Sequence, residues 1–427
     1  MLMSAHSRRF ARRLRQLLPD ERGNIALIVA AAFPLVIGAA GLAIDGTEWV
    51  LQKRQIQAAA DAAAMAGVYG LIADQDMPES VNRSVINSGT VPGNASIQAV
   101  QGPPGRENDP FAVQVHIDAP AHMTFASMFM KAPPVISAQA TASVVKNGRY
   151  CAFALGSMDD EAGIVLRPSS NLEMDCGITT NSASKKAMEA DTSTSIKATL
   201  LRAYGSFGSK DDRSAIHQSQ TRDHALAQDD PLADIDPPLV PNTGCPQATV
   251  NPAGEETVLE PGCYATMNLN GPVRLQNGEY ILNKGNFIVG THGHVECDAC
   301  TIWLTSESAA TDPGSIGKVK IASDATVKMS ATREGPNAGI LFYQDRHAVS
   351  DLPGDENRIG GGSFSKLSGM IYFPGETVYV DGNMSPDFKC SRFIARRLVF
   401  AGHVYIGDKC DGLDNVTFAA TEVRLLD

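Results

Sequence analysis

The sequence predicts an N-terminal transmembrane helix that continues outside the membrane into an α+β module, followed by an all-β domain. Three observations support this fold class. Ile25 to Ile44 form an uncharged apolar run, an alanine-rich helical pattern follows it, and the chain beyond Cys151 consists of short apolar stretches between turn residues. The expected divisions are 1–22 for a basic tail, 23–70 for the helix, 71–148 for the small module and 149–427 for the β-rich domain.

The apolar run from Ile25 to Ile44 has the length of a membrane span. At 1.5 Å per residue it extends about 30 Å as a helix, which is the thickness of the hydrocarbon core. Asp45 and Glu48 follow the run, and a basic block precedes it. By the positive-inside rule the N-terminus remains in the cytoplasm and the rest of the chain is exported. The arginines of the basic block are Arg8, Arg9, Arg12, Arg13, Arg15 and Arg22.

Two alternatives for this run fit less well. A cleaved signal peptide has a shorter apolar core and a small-residue cleavage site, whereas this run leads straight into a second helical pattern. A buried core helix is disfavoured because uncharged runs of this length are typical of spans. Pro34 lies within the run, and membrane helices tolerate proline.

The helix is expected to continue past the membrane to about Gly70. Between Trp49 and Gly67 the chain is rich in good helix formers and contains no glycine or proline. Apolar residues recur there at intervals of three to five residues and form a narrow, smooth stripe. We predict that this stripe docks on a partner helix. Its members are Leu51, Ile56, Ala59, Ala63 and Ala66.

Three sequence features in this region carry a family resemblance. They are Arg22-Gly23-Asn24, the GLAID at the end of the apolar run, and the Gln57–Ala64 segment QAAADAAA. Together they resemble the N-terminal module of the TadE/TadG-like proteins of the Tad (tight adherence, Flp pilus) machinery. The resemblance covers about Arg22 to Gly67 and implies a membrane helix that runs into a periplasmic helix, as in type IV pilins.

One departure from processed pilins has a consequence for the expected role. Substrates of the prepilin peptidase carry glutamate five residues after the cut, and Ile28 occupies that position here. The resemblance therefore implies an unprocessed, single-pass protein of the bacterial inner membrane, with the bulk of the chain periplasmic or extracytoplasmic. The expected partners are the cytoplasmic membrane and, through the N-terminal helix, other Tad/Flp pilus proteins.

Composition limits the remaining partners. The net charge is −11 despite the basic N-terminal block, so the exported part is acidic and nucleic acid is not expected as a partner.

In the small module, Ala95–Val100 and Phe111–Ile117 show strand patterns around a turn-rich loop. The family resemblance implies that this module is pilin-like, with a helix on a small antiparallel sheet.

The chain from Cys245 to Asp427 is nearly periodic, with short apolar strands between Asn-Gly, Asp-Gly and Pro-Gly turns. This spacing favours a parallel β-helix over a β-sandwich, the alternative. A polar stretch at about 182–244, and above all Ser182–Gln228, is expected to be an excursion or mobile loop, apart from one strand or turn at Ala198–Tyr204. Four stretches also resemble, more loosely, the C-terminal region of many TadG-like proteins: Pro261–Tyr264, Gly278–Leu282, Gly339–Arg346 and Phe393–Gly402.

All eight cysteines lie after Tyr150, and in an exported segment disulfides are expected. Eight cysteines allow about 105 connectivities, and we predict the sequence-local one. For Cys297 and Cys300, with His292 and His294 before them, a zinc site or a redox pair are alternatives to a disulfide loop. The predicted pairs are Cys151–Cys176, Cys245–Cys263, Cys297–Cys300 and Cys390–Cys410.

Catalysis is not expected, and neither is a cofactor or a metal. The cluster Tyr343–His347 contains acid, base and cation, but neighbouring strand residues point to opposite faces. We find no phosphate-binding loop, nucleophile elbow or zinc-protease motif.

The predicted function is a membrane-anchored, non-enzymatic component of Tad/Flp pilus assembly or anchoring that supports surface adhesion. The alternative is an envelope β-helix protein that binds or cleaves polysaccharide.

Overall fold

The computed structural model describes most of the chain, which divides into two compact units. One unit comprises the described residues up to Val145 together with 423–426, and the other runs from Lys146 to Glu422. We describe each unit separately. The predicted cytoplasmic tail 1–22 lies outside the described residues, which are 24–157, 161–191, 193–208, 212–217, 219–242, 244–252, 254–349, 355–362, 365–381, 390–410, 413 and 418–426.

The first unit is organised around one long helix, α1 (Asn24–Ile72). This confirms the predicted continuous helix, which was expected to end near Gly70. Pro34 lies inside it without ending it. The half before Asp45 is largely exposed, whereas the half after it contributes buried residues to the unit. Its alanines and leucines supply the helix propensity that carries it across this change of environment.

A second helix, α2 (Met77–Ser88), packs against α1. The Asp76 side chain caps its first turn by accepting a hydrogen bond from the Glu79 backbone N–H at 3.2 Å. Gly89 ends it in the left-handed conformation, with φ 63°, where glycine carries no steric penalty. Met77, Val81 and Val85 form its buried face.

Three antiparallel strands complete the first unit: β1 (Ser96–Gln101), β2 (Val113–Pro120) and β3 (Val135–Ala154), whose last residues belong to the second unit. Buried and half-buried residues alternate strictly along β2, which packs on α1. A 3-10 turn at Ala126–Met128 lies between β2 and β3. The outcome is helices packed on a small antiparallel sheet, as the resemblance implied.

The second unit is rich in short strands, most of them three to six residues long. Two further 3-10 turns occur at Asp212–Ala215 and Pro313–Ser315. The strands are β4 (Ile164–Leu166), β5 (Asn171–Met174), β6 (Gly177–Thr180), β7 (Met188–Ala190), β8 (Ser195–Lys197), β9 (Leu200–Ala203), β10 (Gln220–Arg222), β11 (Gln247–Val250), β12 (Thr257–Leu259), β13 (Gly262–Tyr264), β14 (Thr266–Leu269), β15 (Pro272–Leu275), β16 (Gly278–Asn283), β17 (Phe287–Val289), β18 (His294–Cys297), β19 (Cys300–Thr305), β20 (Val319–Ile321), β21 (Thr326–Ser330), β22 (Ile340–Gln344), β23 (Asn357–Ile359), β24 (Lys366–Asp381), β25 (Cys390–Ala401), β26 (His403–Ile406) and β27 (Phe418–Leu426).

Most of these strands pair in parallel with the strand three positions later in the chain. Three ladders run in this way: β11–β14–β17–β20–β23, β12–β15–β18–β21 and β13–β16–β19–β22. All three meet on the long strand β24, which pairs with β25. β25 then pairs in parallel with the end of β3 and with β4, so the first strands of the unit adjoin its late strands.

The core of the second unit consists of aligned apolar columns. In one ladder Leu269, Val289, Ile321 and Ile359 occupy consecutive matching positions, and each is buried. Because parallel in-register strands place equivalent side chains above one another, every strand buries its inward residues on the next. The predicted strand-rich domain is therefore confirmed, with parallel sheets.

The expectation that most of Ser182–Gln228 is an excursion or mobile loop is wrong. The structure places β7, β8, β9 and β10 in this stretch, and β9 pairs in parallel with β6 and β10. The sequence is polar because many residues of these short strands face outwards, while single apolar residues such as Met188, Ile196 and Leu201 are buried. The described residues between Arg222 and Gln247 contain no strand.

Candidate functional site

The first half of α1 exposes an uninterrupted apolar surface. Ile25 is 71% exposed and Leu35 is 75% exposed. Within the part of the chain that the structure describes, α1 is the one helix that is long and apolar enough to cross a membrane, and its apolar window is almost wholly exposed. A soluble core helix would bury such a surface, since apolar area in water is costly. This helix therefore fits a single-pass membrane protein.

The predicted docking stripe on the second half of α1 is mostly internal, which corrects the choice of docking residues. Ile56, Ala59 and Ala63 are buried within the first unit, and Ala66 is half-buried. Leu51 alone of the five is exposed, at 56%. The stripe is smooth because α1 lies close to its own domain, and larger side chains would push the elements apart.

Gly67 shows how closely α1 approaches its neighbours. A Cβ atom added there would lie 2.8 Å from Cγ1 of Val113 on β2 and 3.0 Å from Cγ2 of Val81 on α2. Real Cβ atoms do not approach neighbours at the first of these distances, so glycine is required for this packing. In the QAAADAAA segment the buried alanines, Ala59, Ala60, Ala63 and Ala64, likewise serve the domain's own core.

A different face of α1 remains exposed on both sides of the membrane boundary. Ile37, Ile44, Leu51 and Ala58 recur every seven residues, and all four are exposed. Residues seven apart lie on the same side of a helix after two turns. Ala62 is also exposed one turn beyond Ala58. We name these five positions the exposed stripe; it runs from within the apolar run to the domain.

Asp45, the acidic residue of GLAID, forms the contact that joins the helix to the sheet module. Its side chain is fully buried and its carboxylate accepts hydrogen bonds from the backbone N–H groups of Thr124, at 3.3 Å, and Phe125, at 3.0 Å. The Ala126 N–H also donates to it. The carboxylate thus caps the 3-10 turn at Ala126–Met128 across the fold.

Sequence analysis did not assign this role to Asp45, and no local signal would have revealed it. A cap is normally found within three residues of the turn it serves. Here the side chain and the capped amides are about eighty residues apart, with a separation of 80 between Asp45 and Phe125. The burial of a carboxylate directly after an apolar run becomes meaningful only once its donors are known.

Further polar side chains attach α1 to backbone carbonyls near the end of β2 and on β3. Trp49 donates its indole N–H to the His122 carbonyl at 2.7 Å. Gln52 donates to the Pro120 carbonyl at 3.0 Å and accepts from the His122 N–H at 3.2 Å. On β3, Gln57 bonds the Gln139 carbonyl at 2.8 Å, and the Lys53 amine donates to the Ser137 carbonyl. The polar face of α1 therefore satisfies an edge of the sheet.

The segment that Asp45 caps presents large apolar side chains outwards. We name Met123–Met130 the apolar loop. Met128 is 78% exposed, Phe129 is 64% exposed and Met130 is 38% exposed. Phe125, by contrast, packs on α1, because a Cβ at Gly41 would lie 2.7 Å from its Cγ. Phe125 is therefore packed on the helix, whereas Met128, Phe129 and Met130 leave much of their surface exposed.

The second unit carries a ladder of alternating charges on one exposed face. Arg274, Glu296 and Lys328 occupy matching positions on β15, β18 and β21. Glu296 contacts Lys328 at 3.1 Å and Arg274 at 3.4 Å, and Arg274 also pairs with Glu256 at 3.2 Å. The hydrogen bonds from Lys328 and then His294 lower the pKa of Glu296. This carboxylate is therefore held ionised, which does not suit a general acid.

Three large aromatic residues of the second unit are stacked inside it. Trp303, Tyr343 and Tyr372 come from three neighbouring strands and are fully buried. Burial raises the pKa of Tyr343 to about 12, and burial together with the bond to Asp230 raises the pKa of Tyr372. Tyr372 donates to Asp230 at 2.5 Å. These hydroxyls anchor the strandless segment around Asp230 and are not displayed for a ligand.

The cluster Tyr343–His347 has structural partners throughout. Asp345 is buried, accepts from the Thr305 hydroxyl at 2.8 Å and contacts the His347 ring at 2.8 Å. Arg346 donates to the Ile235 carbonyl at 2.8 Å. These side chains are committed to different neighbours, and the arrangement does not present them together at a surface.

The cysteine pairs predicted from sequence lie at disulfide distance. Their Cα–Cα separations are 5.7 Å for Cys151–Cys176, 5.0 Å for Cys245–Cys263, 6.1 Å for Cys297–Cys300 and 4.7 Å for Cys390–Cys410.

The possible zinc set around Cys297 and Cys300 does not converge. The two cysteines pair with each other, and His294 contacts Glu296 at 3.1 Å. Among the described residues the metal-ligating side chains that do cluster are Cys151, Cys176 and Asp408. That group offers no thiolate, since its cysteines form a disulfide, and Asp408 pairs with Arg149 at 2.9 Å.

A buried polar cluster lies between strands of the second unit. Lys318 and Glu376 pair at 2.5 Å and both are buried. Glu376 also accepts from Asn357 at 2.6 Å and from Gln344 at 3.0 Å. Every member has a hydrogen-bond partner, as a buried charge requires. The cluster is enclosed, so it fixes the arrangement of strands.

A cavity of about 500 Å³ opens elsewhere in the second unit. It mixes a cation, two carboxylates and apolar walls without a convergent set of groups. Its lining includes Lys146, Phe153, Asp229, Asp230 and Phe418.

In its described residues the protein combines a helix long and apolar enough to span a membrane, a small α+β unit built on that helix, and a second unit of parallel strands with four cysteine pairs at disulfide distance. Residues 23–73 match the model of the putative Flp pilus-assembly TadE/G-like family. This match coincides with α1 and identifies its segment as a Tad domain, as its sequence features indicated. Neither the curated proteins nor the solved structures contain a match to this chain.

Proposed function

We propose that this protein is a membrane-anchored, non-enzymatic component of Tad/Flp pilus assembly or anchoring that supports surface adhesion. The observation that carries the proposal is the coincidence of the Tad match at residues 23–73 with the helix Asn24–Ile72. In this proposal Ile25–Ile44 crosses the bacterial inner membrane with the basic N-terminus in the cytoplasm, and the chain after Ile44 continues on the extracytoplasmic side.

The proposed mechanism is docking along the exposed stripe. Ile37, Ile44, Leu51, Ala58 and Ala62 face away from the protein's own domain. The stripe is apolar and continues from the span into the aqueous side, so one partner helix of similar build can follow it across the boundary. We therefore assign the partner as the N-terminal helix of another Tad/Flp protein, and the opposite, buried face as structural.

For the second unit we propose a parallel β-helix that acts as a rigid element. The support is the repeated pairing of each strand with the third strand after it, together with the aligned column Leu269–Val289–Ile321–Ile359. The four disulfide-distance pairs would stiffen such an element outside the reducing cytosol.

The charges and aromatics of this unit support a non-enzymatic role over polysaccharide binding or cleavage. Glycan sites use exposed aromatic platforms and a carboxyl with a raised pKa. The aligned aromatics here are buried, and Glu296 on the charge ladder has a lowered pKa and basic neighbours.

In-cell photocrosslinking tests the docking proposal. A photoreactive amino acid is placed at Leu51, Ala58 and Ala62, and adducts are identified by mass spectrometry. The matched control is Ile86, which is 75% exposed on α2 and off the stripe. We expect adducts with Tad/Flp proteins from the stripe and none from the control. Stripe positions without such adducts, in cells that still make pili when the gene is deleted, would refute the proposal.

A further inference from the structure

We propose that the apolar loop Met123–Met130 is a second membrane contact, inserted among the lipid acyl chains of the outer half of the bilayer that α1 crosses. This inference rests on the proposed span of Ile25–Ile44 and adds a lipid-binding surface to it.

The position of the apolar loop along α1 gives its depth. A Cβ atom at Gly38 would lie 3.7 Å from Cζ of Phe129, and one at Gly41 would lie 2.7 Å from Cγ of Phe125. Gly38 precedes Ile44, the last residue of the apolar run, by about 9 Å of helix rise. Phe129 therefore lies beside the span, on the hydrocarbon side of its outer end. Glycines at both contacts allow this approach.

The exposed side chains of the loop are those that lipid would accommodate. Met128, Phe129 and Met130 are consecutive and exposed, and they adjoin a helix surface that is itself apolar and exposed. In water this combined surface would be an unusually large apolar patch. In a bilayer it becomes continuous with the lipid-facing surface of the span.

Most backbone N–H groups of the loop have acceptors within the protein, as an acyl environment requires of non-helical chain. The N–H groups of Thr124, Phe125 and Ala126 donate to the Asp45 carboxylate. The Met128 N–H bonds the Phe125 carbonyl at 3.1 Å, and the Phe129 N–H bonds the Ala126 carbonyl at 2.9 Å. The buried charge of Asp45 thus supplies acceptors where water is excluded.

Amphipathic and basic residues mark the polar boundary on either side of the loop. Trp49, half-buried, donates its indole N–H to the His122 carbonyl just before the loop begins. Lys131 follows the loop directly and is exposed. Tryptophan and lysine are typical of the headgroup layer, where an apolar body and a polar end are both accommodated.

The test uses the full-length protein in vesicles of phosphatidylethanolamine and phosphatidylglycerol. A benzophenone amino acid replaces Met128 or Phe129 in separate variants, and intact mass spectrometry after irradiation detects attached phospholipid. Phe111 is the matched negative control, because it is an exposed aromatic at the opposite end of β2. Leu35, exposed in the middle of the run, is the reference for the span.

We expect a mass gain of one phospholipid at Met128, Phe129 and Leu35, and none at Phe111. Lipid adducts at Leu35 without any at Met128 and Phe129 would overturn the inference and leave the span intact. Adducts between two copies of the chain at Met128 or Phe129 would overturn it in favour of a protein contact. An absence of lipid at Leu35 would overturn the span and the inference together.

Discussion

The Asp45 carboxylate accepts a hydrogen bond from the Phe125 backbone N–H at 3.0 Å, and this contact joins the end of the apolar run to a loop that follows β2. The acidic residue at this position of α1 therefore has a structural role that is separate from any effect on membrane orientation. It satisfies amides that no backbone carbonyl reaches.

Asp45→Asn should weaken this cap, because the amide removes the negative charge and one acceptor. We expect a local loss of about 1–3 kcal/mol. Hydrogen exchange of the Thr124–Ala126 amides in detergent-solubilised protein should accelerate roughly ten- to hundred-fold. Asp61→Asn is the matched control on the same helix, since Asp61 accepts from the Gln57 side chain. Equal effects of the two substitutions would contradict the assignment.

Gly67→Ala should destabilise the first unit, since the new methyl group would meet Val113 and Val81. Overpacking of this kind costs about 1–3 kcal/mol. Gly46→Ala is the control, because a Cβ there meets nothing within 4 Å. That change should be neutral or stabilise by up to about 1 kcal/mol through helix propensity. Denaturant titration of both variants measures the difference, and a neutral Gly67→Ala would refute the close packing.

Removal of two cysteine pairs with very different loop lengths should have unequal effects. Cys390 and Cys410 are 20 residues apart, and Cys297 and Cys300 are 3 apart. Chain entropy predicts losses of about 3 kcal/mol and about 1.5 kcal/mol, respectively, on double substitution by alanine. Chemical unfolding under oxidising conditions tests the order. A larger loss for the short loop would show that native contacts, and not loop closure, dominate.

The pairing of Glu296 with Lys328 should make stability depend on pH. Because the folded-state pKa of Glu296 is lowered from 4.5, its contribution is present above that pH and is lost as pH falls through the folded-state value. Glu296→Gln should therefore cost about 0.5–1 kcal/mol near neutral pH, and the difference from the parent should vanish in acid. Glu255→Gln, at an exposed position of the same unit, is the control. A deficit independent of pH would exclude the ionic explanation.

Glu376→Ala should be the most damaging of these changes, because it leaves the buried Lys318 with only the half-exposed Asp355 carboxylate, 3.9 Å away, as a counter-charge. The expected loss is about 3–5 kcal/mol in equilibrium unfolding. The double variant Lys318→Met with Glu376→Leu removes both charges at similar volume and should recover much of that loss. If the double variant is no more stable than Glu376→Ala, the loss comes from the surrounding packing and not from the unpaired charge.

Local features of the fold could be predicted from sequence because their causes are local. The length and composition of Asn24–Ile72 specify a helix without reference to any partner. The sequence-local cysteine pairs lie at disulfide distance because short strands return the chain close to its recent course. The helix stripe was partly foreseen: Ile56, Ala59 and Ala63 do form a packing face, but sequence does not tell whether the partner is the chain itself.

Other features depend on residues far apart in sequence. Asp45 meets donors that are distant in the chain, and the residues around Phe129 acquire significance only when Gly38 lies beside them. The strands β7, β8 and β10 escaped prediction because each has only three residues and few apolar ones. Their stability comes from backbone hydrogen bonds to neighbouring strands, and the pattern of apolar residues in the sequence does not predict such bonds.

The continuity of α1 from Asn24 to Ile72 fixes the angular phase between the membrane segment and the domain. Each residue of a helix turns the chain by about 100°, so the orientation of the first unit's sheet and loop relative to the apolar run is set by the number of helix residues between them. One residue inserted between Gly38 and Ile44 would rotate Gly38 away from Phe129 and split the exposed stripe onto two sides. The number of residues in this helix therefore determines both how far the sheet lies from the membrane segment and which side of the helix it packs on.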